Sequence, residues 1–506
     1  MLNTQETTTI LVIILVAFGL LAWGYNRAKG YGKLGKLAWL QSVSLMTPWL
    51  VFFGLFALGI YLNIVGILFL LVASIISYIY LGKKLRSEGQ GVMLQNEAAQ
   101  RIQEEEAKKD ENKTPSLTTE FNDSSDNKNI SDLIPIPDED LQLIKGIFSI
   151  DTFFATETIS YQEGAIFRGN LRGETEESYQ KLSEKLKDSF GEKYRLFLVE
   201  GSEGKPVVII LPSSDDPQPT TLVQKNLALV LLVGTVFTTL EAASILLGFD
   251  LFNNWGRYIE TLPIGLALWG IFIFHEVGHR VAAKRYDIKM SVPFFLPTWQ
   301  IGSFGAITRF ESLIPTRNAL FDVALAGPAC GGILSFILLI IGLVLSHDGS
   351  LFQVPTQFFQ GSILVGSLAK VVLGEQLQNA IVDVHPLTVV GWLGLVVTAL
   401  NLMPAGQLDG GRIIQAIYGR KTARRATIIT LVILGIVTIF SPANPIPLYW
   451  AVVILFLQRD LERPSLNELT EPDDTRAGWG LLALFLMLAT LIPLSPALAG
   501  RLGIGG

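Results

Sequence analysis

The chain contains few of the residues on which several classes of site depend. Its 506 residues include one cysteine, Cys330, which excludes an intramolecular disulfide and any thiolate-cluster metal site. Cys330 is expected to be a small packing residue. Only 17% of the residues are charged, and the formal net charge of -6 is not gathered into a basic stripe. This distribution argues against nucleic acid as the main partner.

The residues present in excess are apolar. Hydrophobic residues make up 50% of the chain and its mean hydropathy is +0.43, values too high for an ordinary soluble protein. The predicted fold class is a polytopic α-helical membrane protein of about eight to nine transmembrane helices. A re-entrant hairpin is expected within the core, and a small soluble α+β domain is expected between the N-terminal spans and the core.

Changes of composition predict four parts. Residues 1–86 are expected to form about three membrane spans, with Lys33 and Lys36 in a short loop before the second. Residues 87–133 read as a polar linker, and residues 134–217 as a small α+β domain in which GAIFRGNL, YRLFLVEG and KPVVIILP are strands. Residues 218–506 are expected to form the main membrane core.

The stretch IFIFHEVGHRVAA at residues 271–283 places a metal-ligand signature inside an apolar run. His275 and His279 stand four residues apart, so both imidazoles project from one face of a helix, and Glu276 follows the first. This is the spacing of two zinc ligands and the general base of a zinc metallopeptidase. The alternative is that the three residues serve packing or an interface, which the cost of polar groups in an apolar span disfavours.

A catalytic zinc requires a third protein ligand and an open position. Asp409 is the best candidate because it lies at the inner end of a predicted span, where Gly410 and Gly411 let the backbone turn. The alternative roles for Asp409 are a helix cap or a partner for Arg412. Four other residues are weaker candidates or are expected to lie away from the site: Asp322, Glu375, His347 and His385.

Residues 291–310 are apolar but broken by prolines and glycines, so they are too irregular for a spanning helix. Irregular backbone at membrane depth is tolerated against protein or a water-filled cavity, which predicts a re-entrant hairpin beside the site. A surface loop at the membrane interface is the alternative. The hairpin offers an unpaired strand edge for an extended substrate, with Gly302, Phe304 and Gly305 as predicted substrate contacts.

Asn401 is a further candidate residue of the site. Asn401, two turns before Asp409, is predicted to donate a hydrogen bond to the developing oxyanion or to the substrate backbone. Interhelical packing is the alternative role for Asn401.

Residues 319–345 read as a span whose small residues let a neighbouring helix approach closely: Ala324, Ala326, Gly327, Gly331 and Gly332.

HEVGH together with NLMPAGQLDGG at residues 401–411 resembles the site-2 protease family of intramembrane zinc metalloproteases, whose paired motifs are HExxH and N-P-D-G. GNLRGE at residues 169–174, and VHPLTVVGWLGLVVTALNLMP before GQLDGGR, are similar to the EGY branch known from cyanobacteria and chloroplasts. The resemblance covers roughly residue 134 to the C-terminus. The small-residue motif GPACG at residues 327–331 differs from the family pattern, because the corresponding motif of many family members ends in Asn.

The resemblance implies cleavage of transmembrane protein substrates near the cytosolic or stromal face. It implies one Zn²⁺ per chain on His275, His279 and Asp409, with Glu276 as general base. The expected partners are these substrates and the lipid bilayer, with no nucleic acid, and a homo-oligomer stays open. The expected location is a cyanobacterial plasma or thylakoid membrane, or a chloroplast membrane, and the lack of a transit-peptide pattern favours the cyanobacterial source.

Two other functions remain to be weighed. A proteolytically silent scaffold or chaperone with the same fold is disfavoured by the intact Glu276. A metal transporter would need polar residues along several spans, whereas Glu241 is nearly the only charge deep in a span outside the motif. The sequence therefore predicts an intramembrane zinc metalloprotease.

Overall fold

A computed structural model describes residues 32–57 and 136–505, apart from 162–163, 202–203, 299–300, 442–443 and 459, together with scattered residues between 19 and 85. The chain divides into two units, one comprising Met1–Lys128 with Ile436–Pro445 and the other Asn129–Gly435 with Ile446–Gly506. Most of the predicted first span and the whole predicted linker lie outside the described residues.

The first unit contains helix α1, Gly32–Ala57. The helix begins at Gly32, which has a positive φ of 63°. Because the helix begins there, Lys33 and Lys36 lie in its first turns. The prediction that these lysines lie in a loop was wrong, because lysine is a good helix former and the helix extends beyond its apolar run. Ser44 Oγ donates to Ser74 O at 3.1 Å, so α1 contacts the next predicted span.

The second unit begins with the predicted α+β domain. Its elements are α2 Asp138–Ile147, β1 Phe153–Tyr161, β2 Gly164–Leu171, α3 Thr175–Phe190, β3 Tyr194–Glu200 and β4 Pro206–Pro212. The sheet order is β1-β2-β4-β3, and all strands are antiparallel. Helices α2 and α3 cover one sheet face, and Phe153, Phe167, Leu182 and Leu198 are fully buried between the helices and the sheet. The sequence patterns did not predict β1 and α2.

The GNLRGE motif has a structural explanation in this domain. Strand β1 has a register shift between Ala155 and Glu157, and Gly169 lies opposite it. A Cβ on Gly169 would come within 2.1 Å of Phe154 O, so only glycine fits this close strand approach. The end of the motif, Glu174, immediately precedes α3. The motif therefore builds the turn from β2 into α3.

The rest of the second unit contains long apolar helices joined by two hairpins. The elements are α4 Leu222–Leu246, α5 Tyr258–Arg285, β5 Phe294–Thr298, β6 Gly302–Ile307, α6 Arg317–Leu345, β7 Phe352–Pro355, the one-turn helix Gln357–Gln360, α7 Ile363–Leu373, β8 Ile381–Val384, α8 Pro386–Asn401, α9 Asp409–Phe440, whose residues 436–440 belong to the first unit, α10 Ile446–Val453 with a π-helix Ile454–Gln458, α11 Asp474–Leu491 and α12 Pro496–Leu502. Among the described residues, α4, α5, α6, α9 and α11 are long and apolar enough to span a membrane, and α8 and α10 are shorter.

Helix α6 packs closely against α5 on one side and α8 on the other. A Cβ on Gly278 of α5 would lie 2.4 Å from Ala326 O, and one on Gly391 of α8 would lie 2.3 Å from Leu339 N. Glycines on α5 and α8 thus let both helices approach α6 closely, and Gly332, one of the small residues predicted on α6, also lies near α8, since a Cβ there would be 3.3 Å from Thr398 Cγ2. Cys330 belongs to the same contact, because its Sγ would lie 3.0 Å from a Cβ on Gly278.

Helix α9 is broken once. Gly419 has φ 78° and ψ 173°, values outside the helical region, so the helix runs as two segments on either side of it. The first segment begins at Asp409, and the second, residues 420–440, is the apolar one. Arginine and lysine residues at positions 420–425 begin this second segment, because both residue types are good helix formers.

Candidate metal centre

Two elements remote in the chain bring the three predicted metal ligands together. His275 and His279 lie on α5, and Asp409 is the first residue of α9. His275 Nε2 lies 3.1 Å from His279 Nε2 and 3.2 Å from Asp409 Oδ2, and His279 Nε2 lies 3.4 Å from Asp409 Oδ1. Within the described part of the chain, no other group of three metal-ligating side chains converges in this way.

The spacing of these three atoms fits a zinc ion. Zinc bonds to imidazole nitrogen and carboxylate oxygen are about 2.0–2.1 Å long, so neighbouring ligand atoms of a tetrahedral site lie about 3.3 Å apart. The three distances of 3.1, 3.2 and 3.4 Å bracket that value. Three ligands also leave the fourth tetrahedral position for water or substrate.

Helix α6 orients the second histidine. His279 Nδ1 lies 2.8 Å from Val323 O, which can only accept a hydrogen bond, so Nδ1 carries the proton. The lone pair of Nε2 therefore points towards the other two ligands. A Cβ on Gly327 would lie 2.1 Å from His279 Nε2, and one on Gly331 would lie 3.0 Å from the Cβ of His275. Glycines on α6 thus make the space that both rings occupy.

Gly410 and Gly411 allow the tight backbone path that positions Asp409. A Cβ on Gly410 would lie 1.9 Å from Leu402 O, and one on Gly411 would lie 2.3 Å from Gly406 O. The chain after α8 can therefore fold back tightly against the start of α9, as predicted from the GG pair. Asp409 is buried, and its Oδ1 is 3.9 Å from Arg412 Nη1, whereas its carboxylate oxygens lie 3.2 and 3.4 Å from the two imidazoles.

Glu276 is buried beside this group and has two polar neighbours. Thr308 Oγ1 donates to Glu276 Oε2 at 2.9 Å, and Arg280 Nη2 lies 2.9 Å from Glu276 Oε1. Both contacts fix the carboxylate on the side of α5 that faces the hairpin. The sequence analysis did not identify Thr308 as a site residue. Its position at the end of the apolar stretch IGSFGAIT, residues 301–308, was the one signal for such a role.

The predicted hairpin is formed by β5 and β6, which pair antiparallel. Asn401 Nδ2 donates to Phe304 O at 3.3 Å and to Val397 O at 2.9 Å, so it connects α8 to β6. A Cβ on Gly305 would lie 3.1 Å from Asn401 Nδ2, and one on Gly302 would lie 2.9 Å from Thr239 Cα. Glycine is required where β6 passes close to α8 and α4.

The Phe304 side chain is buried, and its ring centroid lies 5.3 Å from that of Trp450. A cavity of about 20 Å³, large enough for a water molecule, lies between this hairpin and the start of α9. His279, Thr308 and Asp409 line it. The arrangement places a small polar space next to the three ligand atoms. Substrate contact by Gly302, Phe304, Gly305 and Asn401 stays a prediction.

The weaker candidates lie elsewhere. Asp322 accepts from Arg476 Nε at 2.8 Å and from the Tyr286 hydroxyl, so it joins three helix ends. Leu387 N donates to His385 Nδ1 at 3.3 Å, which makes His385 the N-cap of α8, and His347 is exposed. Two acidic residues also lie apart from the three ligands, in a short 3-10 helix after α7 and in the second half of α4 respectively: Glu375 and Glu241.

Comparison with known proteins decides the family. A model of the EGY3 middle domain matches residues 142–219, and the model of peptidase family M50 matches residues 264–441. The Arabidopsis thaliana protein named probable zinc metalloprotease EGY2, chloroplastic, is 38% identical over 380 residues, which cover 74% of this chain and 68% of that protein. The chain belongs to the EGY branch of peptidase family M50.

Other EGY proteins are similarly related. The Arabidopsis thaliana protein named probable zinc metalloprotease EGY1, chloroplastic, is 35% identical over 404 residues, covering 72% of this chain and 73% of that protein. For the protein named EGY3 from the same plant the identity is 32% over 378 residues, covering 70% and 65%. No solved structure matches the chain.

Membership in the EGY branch confirms the resemblance to site-2 proteases and the prediction of a membrane-embedded zinc metalloprotease. Zinc as the cofactor agrees with the ligand set described above. These three relatives are named chloroplastic and come from a plant, so they do not support the predicted cyanobacterial source.

The glycine that faces the second histidine gives a first test. Replacing Gly327 with alanine places a Cβ within 2.1 Å of His279 Nε2 and must displace the ring. We expect the Gly327→Ala chain to bind zinc about 10- to 100-fold more weakly, as when ligand orientation is lost. Competition with a chromogenic chelator on the purified chain measures this. Gly270→Ala is the matched control on α5, because a Cβ there meets nothing within 4 Å, and equal affinities for the two variants would contradict the assignment.

Proposed function

We propose that this EGY protein hydrolyses peptide bonds in the transmembrane segments of protein substrates, near the cytosolic or stromal face. In this proposal His275, His279 and Asp409 hold one Zn²⁺ per chain, and Glu276 is the general base. The observation that carries the proposal is the triangle of three ligand atoms, 3.1–3.4 Å apart, between the apolar helices α5 and α9.

When bound, zinc supplies Lewis acidity that activates water and polarises the scissile carbonyl. The Glu276 carboxylate takes the proton of the attacking water and gives it to the leaving amine nitrogen. Thr308 Oγ1 holds one carboxylate oxygen, and Arg280 lies beside the other, so the base is oriented before substrate arrives. Burial of Glu276 also limits competing contacts with bulk water.

A transmembrane substrate must unwind before it can be cut. The carbonyl and N–H groups of a helical peptide bond are already hydrogen-bonded, so an extended segment is required. We propose that this segment pairs with the hairpin at Gly302, Phe304 and Gly305, with Asn401 holding the hairpin or the substrate backbone. Substrates with helix-breaking residues near the inner face would be preferred.

The membrane arrangement forms part of the proposal. We propose about eight to nine transmembrane helices, including the three predicted N-terminal spans, and a hairpin that re-enters the membrane. The basic residues Arg280, Lys284 and Arg285 at the end of α5 support an inner-face position for the site. The relatives are named chloroplastic, which supports a chloroplast membrane as the location. The predicted part boundaries, 1–86, 87–133, 134–217 and 218–506, and a homo-oligomer remain proposals.

Removal of the metal tests the function directly. The purified chain is reconstituted in liposomes with model transmembrane peptides, one carrying a helix-breaking Pro-Gly pair and one an uninterrupted leucine run. We expect chelation by 1,10-phenanthroline to reduce cleavage at least about 100-fold, and one equivalent of Zn²⁺ to restore it. Mg²⁺ should not restore cleavage, because it prefers oxygen ligands in octahedral geometry. Cleavage that persists in the metal-free chain would contradict the proposal.

A further inference from the structure

The segment between the π-helix and α11, residues 461–470, joins the soluble domain to the catalytic core. Its Asn467 forms parallel bridges with Leu198 of β3 on one side and with Thr316, just before α6, on the other. Leu198 N donates to Leu466 O at 2.8 Å, and Asn467 N donates to Pro315 O at 3.0 Å. Since β3 is an edge strand, this segment extends the soluble-domain sheet and attaches it to the start of α6.

Side chains strengthen this attachment. Asn467 is fully buried, and its Nδ2 donates to Glu176 Oε2 of α3 at 2.8 Å. Leu466 and Leu313 pack on the sheet face opposite the helices, beside Phe197. The segment is therefore held by backbone pairing, a buried amide and apolar contact together.

The same segment carries a buried carboxylate that reaches the metal centre. Glu462 Oε2 lies 3.0 Å from both Nε and Nη2 of Arg412, and both side chains are buried. Arg412 Nη2 also donates to Thr308 O at 3.0 Å. Thr308 in turn donates through Oγ1 to Glu276, at 2.9 Å. Arg412 thus connects Glu462 to the hairpin residue that orients the general base.

Arg412 has two carboxylates within reach. Glu462 lies at 3.0 Å, whereas Asp409 Oδ1 lies at 3.9 Å from Nη1. A buried guanidinium needs a negative partner, and it would pair with Asp409 if Glu462 were neutral. That pairing would withdraw the Asp409 lone pairs from a metal ion, because a carboxylate oxygen bonded to a guanidinium is a weaker ligand.

We propose that Glu462 is a positioning residue of the zinc site: it binds Arg412, keeps Asp409 available to the metal, and holds Thr308 against Glu276. Because residues 461–470 also carry the soluble domain, docking of that domain keeps Glu462 in place. This inference rests on the proposed function, since it takes Asp409 as a ligand and Glu276 as the base.

The test compares zinc binding by full-length variants in detergent, with chelator competition and the visible spectrum of the Co²⁺-substituted chain. Glu462→Gln keeps the shape but removes the charge, and we expect its zinc dissociation constant to rise about 10-fold or more and its Co²⁺ bands to shift. Glu471→Gln is the matched control, because Glu471 lies just beyond the segment with a side chain 77% exposed. It should bind zinc as the unchanged chain does.

A double variant separates positioning from general damage. In Glu462→Gln combined with Arg412→Gln, no guanidinium competes for Asp409, so zinc affinity should recover to within about threefold of the unchanged chain. Cleavage at saturating zinc should stay low in this variant, because Thr308 has lost its support. Unchanged zinc affinity in Glu462→Gln, or no recovery in the double variant, would overturn the inference. If the unchanged chain neither binds zinc nor cleaves, the proposed function itself fails.

Discussion

Replacing Glu276 with glutamine is expected to abolish cleavage while zinc remains bound. Glutamine has nearly the same shape as glutamate and can still accept the hydrogen bond from Thr308 Oγ1. It cannot take a proton from water, and loss of a general base typically lowers the rate by about 100- to 10,000-fold. The measurement is the initial rate of cleavage of a model transmembrane peptide in liposomes, with zinc content determined on the same sample.

The matched control for this change lies on the same helix. Glu260 is in the first turn of α5 and forms an exposed ion pair with Arg257 at 2.7 Å, so Glu260→Gln changes the same charge far from the site. We expect it to leave both rate and zinc content unchanged, because exposed ion pairs contribute little. If Glu276→Gln cleaved as fast as this control, Glu276 would not be the general base, and if neither the unchanged chain nor the control cleaved, the chain would be better described as a silent scaffold of the same fold.

Replacing Asp409 with asparagine is expected to cost the chain its zinc. Asparagine is as good a helix cap as aspartate, so the alternative role of Asp409 as a cap predicts almost no effect. A neutral amide oxygen is a much weaker zinc ligand than a carboxylate, so the ligand role predicts a loss of at least about 100-fold in zinc affinity. Cleavage should fall in parallel at limiting zinc. Zinc per chain after dialysis distinguishes the two roles.

Asp474→Asn is the control for this substitution. Asp474 is the exposed first residue of α11, as Asp409 is the buried first residue of α9. Both variants therefore lose the same charge at the same helix position, and only one loses a metal ligand. Full zinc content in Asp409→Asn would remove this residue from the proposed ligand set.

The local sequence pattern was enough to predict the two histidines of the metal centre. The spacing of His275 and His279 fixes their shared helix face whatever the rest of the chain does. Asp409 needed an argument from membrane depth and from the glycines after it, and the structure brings its carboxylate within 3.4 Å of both rings. The membrane spans, the hairpin and the soluble domain were likewise predicted from the apolar runs of the sequence and from the residues that interrupt them.

The contacts around the centre were not predictable, because they depend on convergence of segments remote in the sequence. Nothing in the local sequence of Glu462 or Thr308 indicates that Arg412 will lie between them. Strand β1 was missed because its alternation is interrupted by the register shift between Ala155 and Glu157. Packing and register, unlike periodicity, are properties of the folded chain.

The pairing of residues 466–468 with the outer edge of β3 has a consequence for biosynthesis. The soluble domain leaves the ribosome long before the strand that completes its sheet has been made. Until most of the membrane helices have been inserted, an open edge with free backbone groups stays exposed to chaperones and to proteases. Chains that stop early would keep this edge, so the fold itself distinguishes a finished molecule from an incomplete one.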